Sequence, residues 1–231
     1  MLHKTKGICL HFIKYKETSI IAKIYTESFG LQSYLVNHVR KEKATFKIAL
    51  FQPLTQLEMV VYHKQGKDTL QRISEIRCPS PYQNLPFDML KSSIAMFLAE
   101  VLSKTLHGEE KNVTLFTFLE TSLKQLDGTL LPENFPLYFL VRLIEKLGFL
   151  GKDASIIFEQ LYQHRIVTQR PSYFEREVAV LEELLSSTSS FEDIEIPTNL
   201  RKTLLNYVLA YYRLHFEFFG EVKSLRILRN L

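Results

Sequence analysis

Arg40, Lys41, Lys43 and Lys47 place four cations within eight residues, with a single carboxylate, Glu42, among them. Like charges held this close repel one another, and the arrangement becomes favourable when anions lie between them; the phosphates of a polyanion suit that spacing. A solvated basic loop is the alternative. Upstream lie Phe12, Tyr25 and Tyr34. Ring faces at such positions stack unpaired bases at about 1–3 kcal/mol each, unless they fill a core instead. The candidate interface is therefore Arg40, Lys41, Lys43 and Lys47 for phosphates, with Tyr25 and Tyr34 for bases.

Other chemistry lacks its parts. Around Gly151-Lys152 the first glycine of a phosphate loop falls on Lys146 and its Ser/Thr on Asp153. No His-Glu-x-x-His run, Cys-x-x-Cys pair or Gly-x-Ser-x-Gly elbow occurs, so zinc-protease, zinc-ribbon and hydrolase readings lack ligands or nucleophile. His3, His11, His38 and His63 are spread over separate strands and read as ordinary strand or surface residues. The run Tyr207, Tyr211, Tyr212, His215, Phe216, Phe218 and Phe219 has helical spacing and reads as a buried helix face rather than a stacking platform. Cys9 and Cys78 make no disulfide framework and suit a reducing cytoplasm. No constellation of nucleophile, base and orienting group assembles, so we expect no enzyme, no cofactor and no metal.

The elements that position the basic stretch follow from periodicity. Residues 5–13, 19–26 and 31–37 alternate apolar and polar residues with β-branched and aromatic enrichment, giving three strands in a meander. Residues 45–51 form a helical turn before Pro53, and strands follow at 54–62 and 69–77, joined by a turn at 65–68. Three strands, a turn and two strands is the order of a five-stranded OB-fold barrel, an order largely shared with SH3-type barrels. Pro79, Pro81 and Pro86 then mark a change of period from two to about 3.6. The fold class is α+β, with an OB-fold nucleic-acid-binding domain over residues 1–80 and a helical domain over 81–231. Helices are expected from Asp88 as N-cap to near Gly108, at 113–126, at 135–147 ending on Gly148, at 155–164, at 174–185 and at 199–219.

Charge follows the same division. Residues 1–80 hold 13 Lys and Arg against 6 Asp and Glu, and the remainder 16 against 19. A basic module beside an acidic one suits a nucleic-acid surface joined to a surface for protein partners. No apolar run approaches the roughly 18 residues of a membrane span, and the N-terminus lacks a long apolar segment. We expect a folded, soluble chain that neither enters nor crosses a membrane.

The chain resembles the RecO family of bacterial DNA repair proteins. The likeness begins with Gly7 and its alternating apolar residues, then Tyr15-x-Glu17-Thr18 and Thr26-x-x-x-Gly30, leading into the basic strand end at 37–43. It continues through residues 49–64 and 92–106, the Arg-Leu-Ile-Glu-Lys-Leu-Gly-Phe-Leu run at 142–150, and Lys-Ser-Leu-Arg-Ile-Leu at 223–228. Individually loose, these motifs are specific in their order and spacing over nearly the full length.

The resemblance implies an OB-fold joined to a helical region and a non-catalytic recombination mediator. Such a protein binds single- and double-stranded DNA, anneals complementary strands, and acts with RecR to load RecA onto strands coated by single-stranded DNA-binding protein. Arg40, Lys41 and Lys43 match the family's basic strand end, and Lys47 is added on spacing. Lys104 or Arg142 could receive the coating protein's C-terminal tail. Many relatives carry a four-cysteine zinc module after Leu-Gly-Phe, whereas residues 151–173 here contain no cysteine. That region is expected to hold itself by packing Ile156, Ile157, Phe158, Leu161 and Tyr162. The alternatives are a repair scaffold with little DNA affinity and an RNA-binding OB-fold protein.

Overall fold

The computed structural model describes residues 1–39, 46–64, 70–107, 110–186 and 190–229. Five strands, β1 (Leu2–Tyr15), β2 (Ser19–Thr26), β3 (Gly30–Val36), β4 (Gln56–Tyr62) and β5 (Gln71–Arg77), close into a barrel in the order β1-β2-β3-β5-β4. All neighbours are antiparallel except β3 and β5. This is the OB-fold order that the sequence predicts.

β1 serves two partners. Its first half pairs with β4 and its second with β2, and Gly7 stands in both registers, opposite Leu57 and Thr26. A Cβ at Gly7 would fall 2.6 Å from Met59 Cε and 2.7 Å from Ile24 Cγ2, so any larger residue here must displace these two core side chains. Beyond it, an irregularity between Cys9 and His11 turns the strand further. Cys9, Ile20, Ala22, Ile24, Tyr34, Val36, Leu57, Met59 and Val61 fill the interior. The helical turn expected at 45–51 is the single 3-10 turn Ile48–Phe51; it delivers Phe51 to the core, where the Cys9 thiol donates to the Phe51 carbonyl at 3.2 Å.

Helices α1 (Met89–Thr105), α2 (Val113–Gly128), α3 (Phe135–Lys146), α4 (Ser155–Gln163), α5 (Glu175–Leu185), α6 (Thr198–His215) and α7 (Leu225–Arg229) follow. Two compact units result, residues 1–127 with 222–231, and residues 128–221. The change of pattern near residue 80 marks a change of element type, while compactness gathers α1, α2 and α7 with the barrel. Polar contacts explain the grouping. Ser103 of α1 meets His11 Nδ1 at 3.1 Å, Phe116 of α2 stacks on Tyr25, and Gln56 donates to the Glu120 carbonyl at 3.0 Å.

Asp88 caps α1 as expected, accepting from the Lys91 amide at 2.9 Å. Asp127 holds the entry to that helix, accepting from the backbone amides of Gln83, Asn84 and Leu85 at 2.7–2.9 Å. Burial opposes ionisation of Asp127, but these amides and the Lys91 charge outweigh it and hold its carboxyl below the usual carboxylate range. The C-terminal α7, a helix the sequence pattern does not announce, is tied to α1 by Glu100. That carboxylate accepts from the amides of Lys223 and Ser224 and from the Ser224 hydroxyl.

In residues 128–221, α3 and α6 pack through their apolar faces. The Tyr212 hydroxyl donates to the Leu140 carbonyl at 2.7 Å, and that of Tyr211 to the Phe149 carbonyl at 2.8 Å. Tyr211, Tyr212 and Phe219 are fully buried, so the aromatic run is chiefly core; Phe218 alone stands clear, 79% exposed. α6 stops at His215 rather than near 219, because Phe216 adopts extended backbone. Gly148, at φ +83, ends α3 with paired bonds from Gly148 N–H to Glu145 O and from Phe149 N–H to Ile144 O, a left-handed cap that glycine adopts without strain. In the cysteine-free stretch 151–173, Ile157, Phe158 and Leu161 are buried and Phe158 stacks on Phe174 with centroids 4.5 Å apart. Ile156 and Tyr162, expected in that packing, instead point outward on the opposite face of α4.

Candidate nucleic-acid interface

Strand register assembles one face of the barrel. On the outside of β1, β2 and β3, His11, Lys23 and Ser33 form one row and Ile13, Ile21 and Leu35 the next. Leu35 continues the second row to Arg72 on β5. Neighbouring strands lie about 5 Å apart, so Lys23 and Arg72 project from the same surface. The β1–β2 turn adds Lys14 and Lys16, the latter 5.4 Å from the Tyr15 ring centroid. Lys64 follows β4, and Lys47 precedes the turn that plugs the core.

The exposed cations of this face and of the connections beside it differ from two others on the barrel. Lys14, Lys16, Lys23, Lys47, Lys64 and Arg72 are exposed, and none forms an ion pair with a described residue. By contrast, Lys6 pairs with Glu120 at 3.2 Å and Arg77 with Glu58. Burial, and secondarily the Lys23 charge, holds the His11 imidazole below its ordinary value. His11 therefore stays neutral at pH 7 beside Lys23, bonded to Ser103.

The residues expected from sequence fall in three groups. Arg40, Lys41 and Lys43 lie outside the described residues; Lys47 is exposed at the end of that connection. Tyr25 and Tyr34 do not present ring faces to a base, which corrects their reading as stacking residues. Tyr34 is fully buried inside the barrel, where burial pushes its phenol well above the usual range. Tyr25 points outward but is covered by Phe116, 4% exposed, with its phenol pushed up to about 12 by burial.

Lys104 and Arg142 fall in different units, and both are engaged. Lys104 pairs with Glu100 across one helical turn at 3.9 Å. Arg142 donates to the Leu185 carbonyl and lies 3.4 Å from Glu145. Neither stands as an uncommitted cation for an incoming carboxylate.

Lys14, Lys16, Lys23, Lys64 and Arg72 are the residues that the sequence-based site lacks. A signal for Lys23 existed, because Ala22 and Ile24 are inward and the period of a strand is two. Arg72 required the β3–β5 pairing, which joins residues 37 positions apart. Among the described residues no three His, Cys, Asp or Glu side chains converge on a point that could hold a metal ion. His3 and His63 belong to a ring cluster with Phe29, while His11 meets Ser103 and His38 meets Thr18. No described helix is long and apolar enough to cross a membrane.

Comparison with known proteins agrees with this architecture. Residues 1–82 match the family described as recombination protein O N terminal, and residues 86–150 match recombination protein O C terminal. A DNA repair protein RecO of Flavobacterium psychrophilum is 34% identical over 239 residues, covering 99% of this chain and 98% of its own. That of Bacteroides fragilis is 36% identical over 242 residues, with 100% and 99% covered, and that of Porphyromonas gingivalis 29% over 249 residues, likewise 100% and 99%. With its closed five-stranded barrel, matched throughout its length by such relatives, the chain belongs to the RecO family of DNA repair proteins.

Proposed function

We propose that this protein is a non-catalytic recombination mediator that works in the cytoplasm. It binds single- and double-stranded DNA through the barrel, anneals complementary strands, and with RecR helps load RecA onto strands coated by single-stranded DNA-binding protein. The observation that carries the DNA-binding step is the set of exposed cations, Lys14, Lys16, Lys23 and Arg72 on or beside the outer face of β1, β2 and β3 with Lys47 and Lys64 in the connections, none ion-paired with a described residue. Charges without internal partners retain their condensing power toward phosphates, and binding gains from release of the polyanion's counterions. Two DNA strands held on such a surface are screened from one another, which lowers the barrier to annealing.

With Tyr25 and Tyr34 inside the fold, the exposed rings near these cations are Tyr15, beside Lys16, and Tyr62, cross-strand from Arg72, so the surface supplies phosphate contacts first and stacking at its margin. The partners RecR, RecA and the coating protein enter from family membership, as does the absence of a catalytic step.

The test is fluorescence anisotropy of a labelled single-stranded oligonucleotide across a salt series. Wild type should give log K falling with log salt by about 0.7 per phosphate contacted. Changing Lys23, Lys64 and Arg72 to Glu should flatten that slope, as should changing Arg40, Lys41, Lys43 and Lys47 to Glu. A wild type that binds no DNA at low salt leaves a protein-interaction scaffold, and a preference for ribose leaves an RNA-binding protein.

A further inference from the structure

We infer that Gln71 is the positioning residue of the nucleic-acid face, its carboxamide closing the base of the β4–β5 connection and fixing Lys64 beside Arg72. The inference rests on the DNA-binding reading above and adds to it the device that orders the cations.

Gln71 stands where three strands meet. Its backbone is in register with Tyr34 on β3, and the next residue, Arg72, pairs with Tyr62 at the end of β4. Beyond Tyr62 the β4–β5 ladder stops, and the Gln71 side chain takes over. Its Oε1 accepts from the Lys64 amide at 3.0 Å and its Nε2 donates to the Lys64 carbonyl at 2.9 Å. A carboxamide carries the donor and acceptor of a peptide group in one rigid plane, so the side chain bonds the Lys64 backbone as a facing peptide group would. Gln71 is 3% exposed. Two hydrogen bonds from one buried carboxamide to the same residue hold that residue's backbone.

The preceding residue is fixed as well. The His63 ring stacks on Phe29 of the β2–β3 turn, centroids 3.9 Å apart and 14° from parallel, and the His63 amide donates to the Met1 carbonyl. Lys64 therefore leaves the barrel on a backbone anchored from both sides, with its own side chain exposed. An anchored cation loses less conformational freedom on meeting a phosphate than one on a free loop. Gln71 carries no charge and touches no phosphate; it acts through the residue that does.

Asparagine, one methylene shorter, cannot reach both groups of Lys64, and it leaves the net charge unchanged. The experiment measures single-stranded DNA binding against salt for wild type, Gln71→Asn, Lys64→Ala and the double variant. Gln71→Asn should make the salt slope shallower by about 0.7, one phosphate contact on a single strand, with several-fold weaker binding near 0.1 M salt. In the Lys64→Ala background it should cost nothing further. An unchanged slope, or an equal loss in both backgrounds, overturns the inference, because a merely structural role moves stability without removing this one contact. If wild type itself shows no salt-dependent binding, the DNA reading fails instead. Amide hydrogen exchange then tests the anchor alone, as it does should Gln71→Asn fail to fold. A protected Lys64 amide outside the ladder supports it, and exchange at the rate of a free loop overturns it.

Discussion

The barrel face and two arginines of the unit at 128–221 use cationic side chains in opposite ways. Lys23 and Arg72 on strands and Lys64 just after β4 are exposed, with no acidic partner among the described residues. Arg142 and Arg201 turn inward and donate to carbonyls, Arg142 to Leu185 and Arg201 to Ile196, with Arg201 also bonded to the Asn134 side chain. A guanidinium that satisfies backbone acceptors where helices end is architecture; one left in solvent on a sheet stays available to an anion. Charge count alone does not separate the two, and the presence of an internal acceptor does.

The comparison breaks if damage to the helical unit alters DNA binding. Phe158→Ala removes a ring stacked on Phe174 and edged by Tyr207 and should destabilise that unit by about 3–5 kcal/mol in urea unfolding. The salt slope of DNA binding should stay at the wild-type value. The next effect sharpens the contrast within the barrel. Lys23→Ala with Lys64→Ala and Arg72→Ala should weaken binding by about a hundredfold near 0.1 M salt, at roughly fivefold per contact, with little change in Tm. The matched triple Lys6→Ala, Arg77→Ala and Lys124→Ala removes cations already paired with Glu120 or Glu58 and should alter binding far less.

A smaller effect concerns acid stability. The folded carboxyl of Asp127 lies below its ordinary value of 3.8, as burial is outweighed by the amides of residues 83–85. Its contribution is therefore fully present above about pH 4 and is lost as pH falls through the lowered folded value. Asp127→Asn should cost about 1 kcal/mol, as for loss of a cap, and should make the acid limb of a Tm-against-pH curve shallower. Smallest is a difference in reactivity without a change in stability. Burial pushes the Cys9 thiol up to about 12 inside the barrel, whereas Cys78 is partly exposed. Iodoacetamide should modify Cys78 first and reach Cys9 only on unfolding, which mass spectrometry of labelled peptides would resolve.

Much of the fold is legible without coordinates because its signals are local. Alternation in 19–26, the Asp88 cap and the left-handed position at Gly148 each depend on a few neighbouring residues and the backbone they favour. Family membership was legible in the same way, through ordered short motifs. Tyr34 marks where this fails, since inward and outward aromatics share one strand pattern and only closure of the barrel selects the side. Tyr25 marks a second limit: its outward position follows from register, but the cover by Phe116 comes from a helix 91 residues later. The aromatic pattern extends four residues past the end of α6, because the side-chain spacing continues beyond His215 while the helical backbone does not.

By itself the sequence determined the kind and order of the elements, the basic character of the first eighty residues and the lack of cysteine in 151–173, because these depend on residue type and short-range spacing. Tertiary structure decided which cations remain available. Pairing of Leu35 with Arg72, bracketing of Lys64 by Gln71 and neutralisation of Lys6 by Glu120 join residues 37, 7 and 114 positions apart. Whether a charge meets a carboxylate, a carbonyl or only water depends on which strand or helix folds against it, and no local pattern carries that.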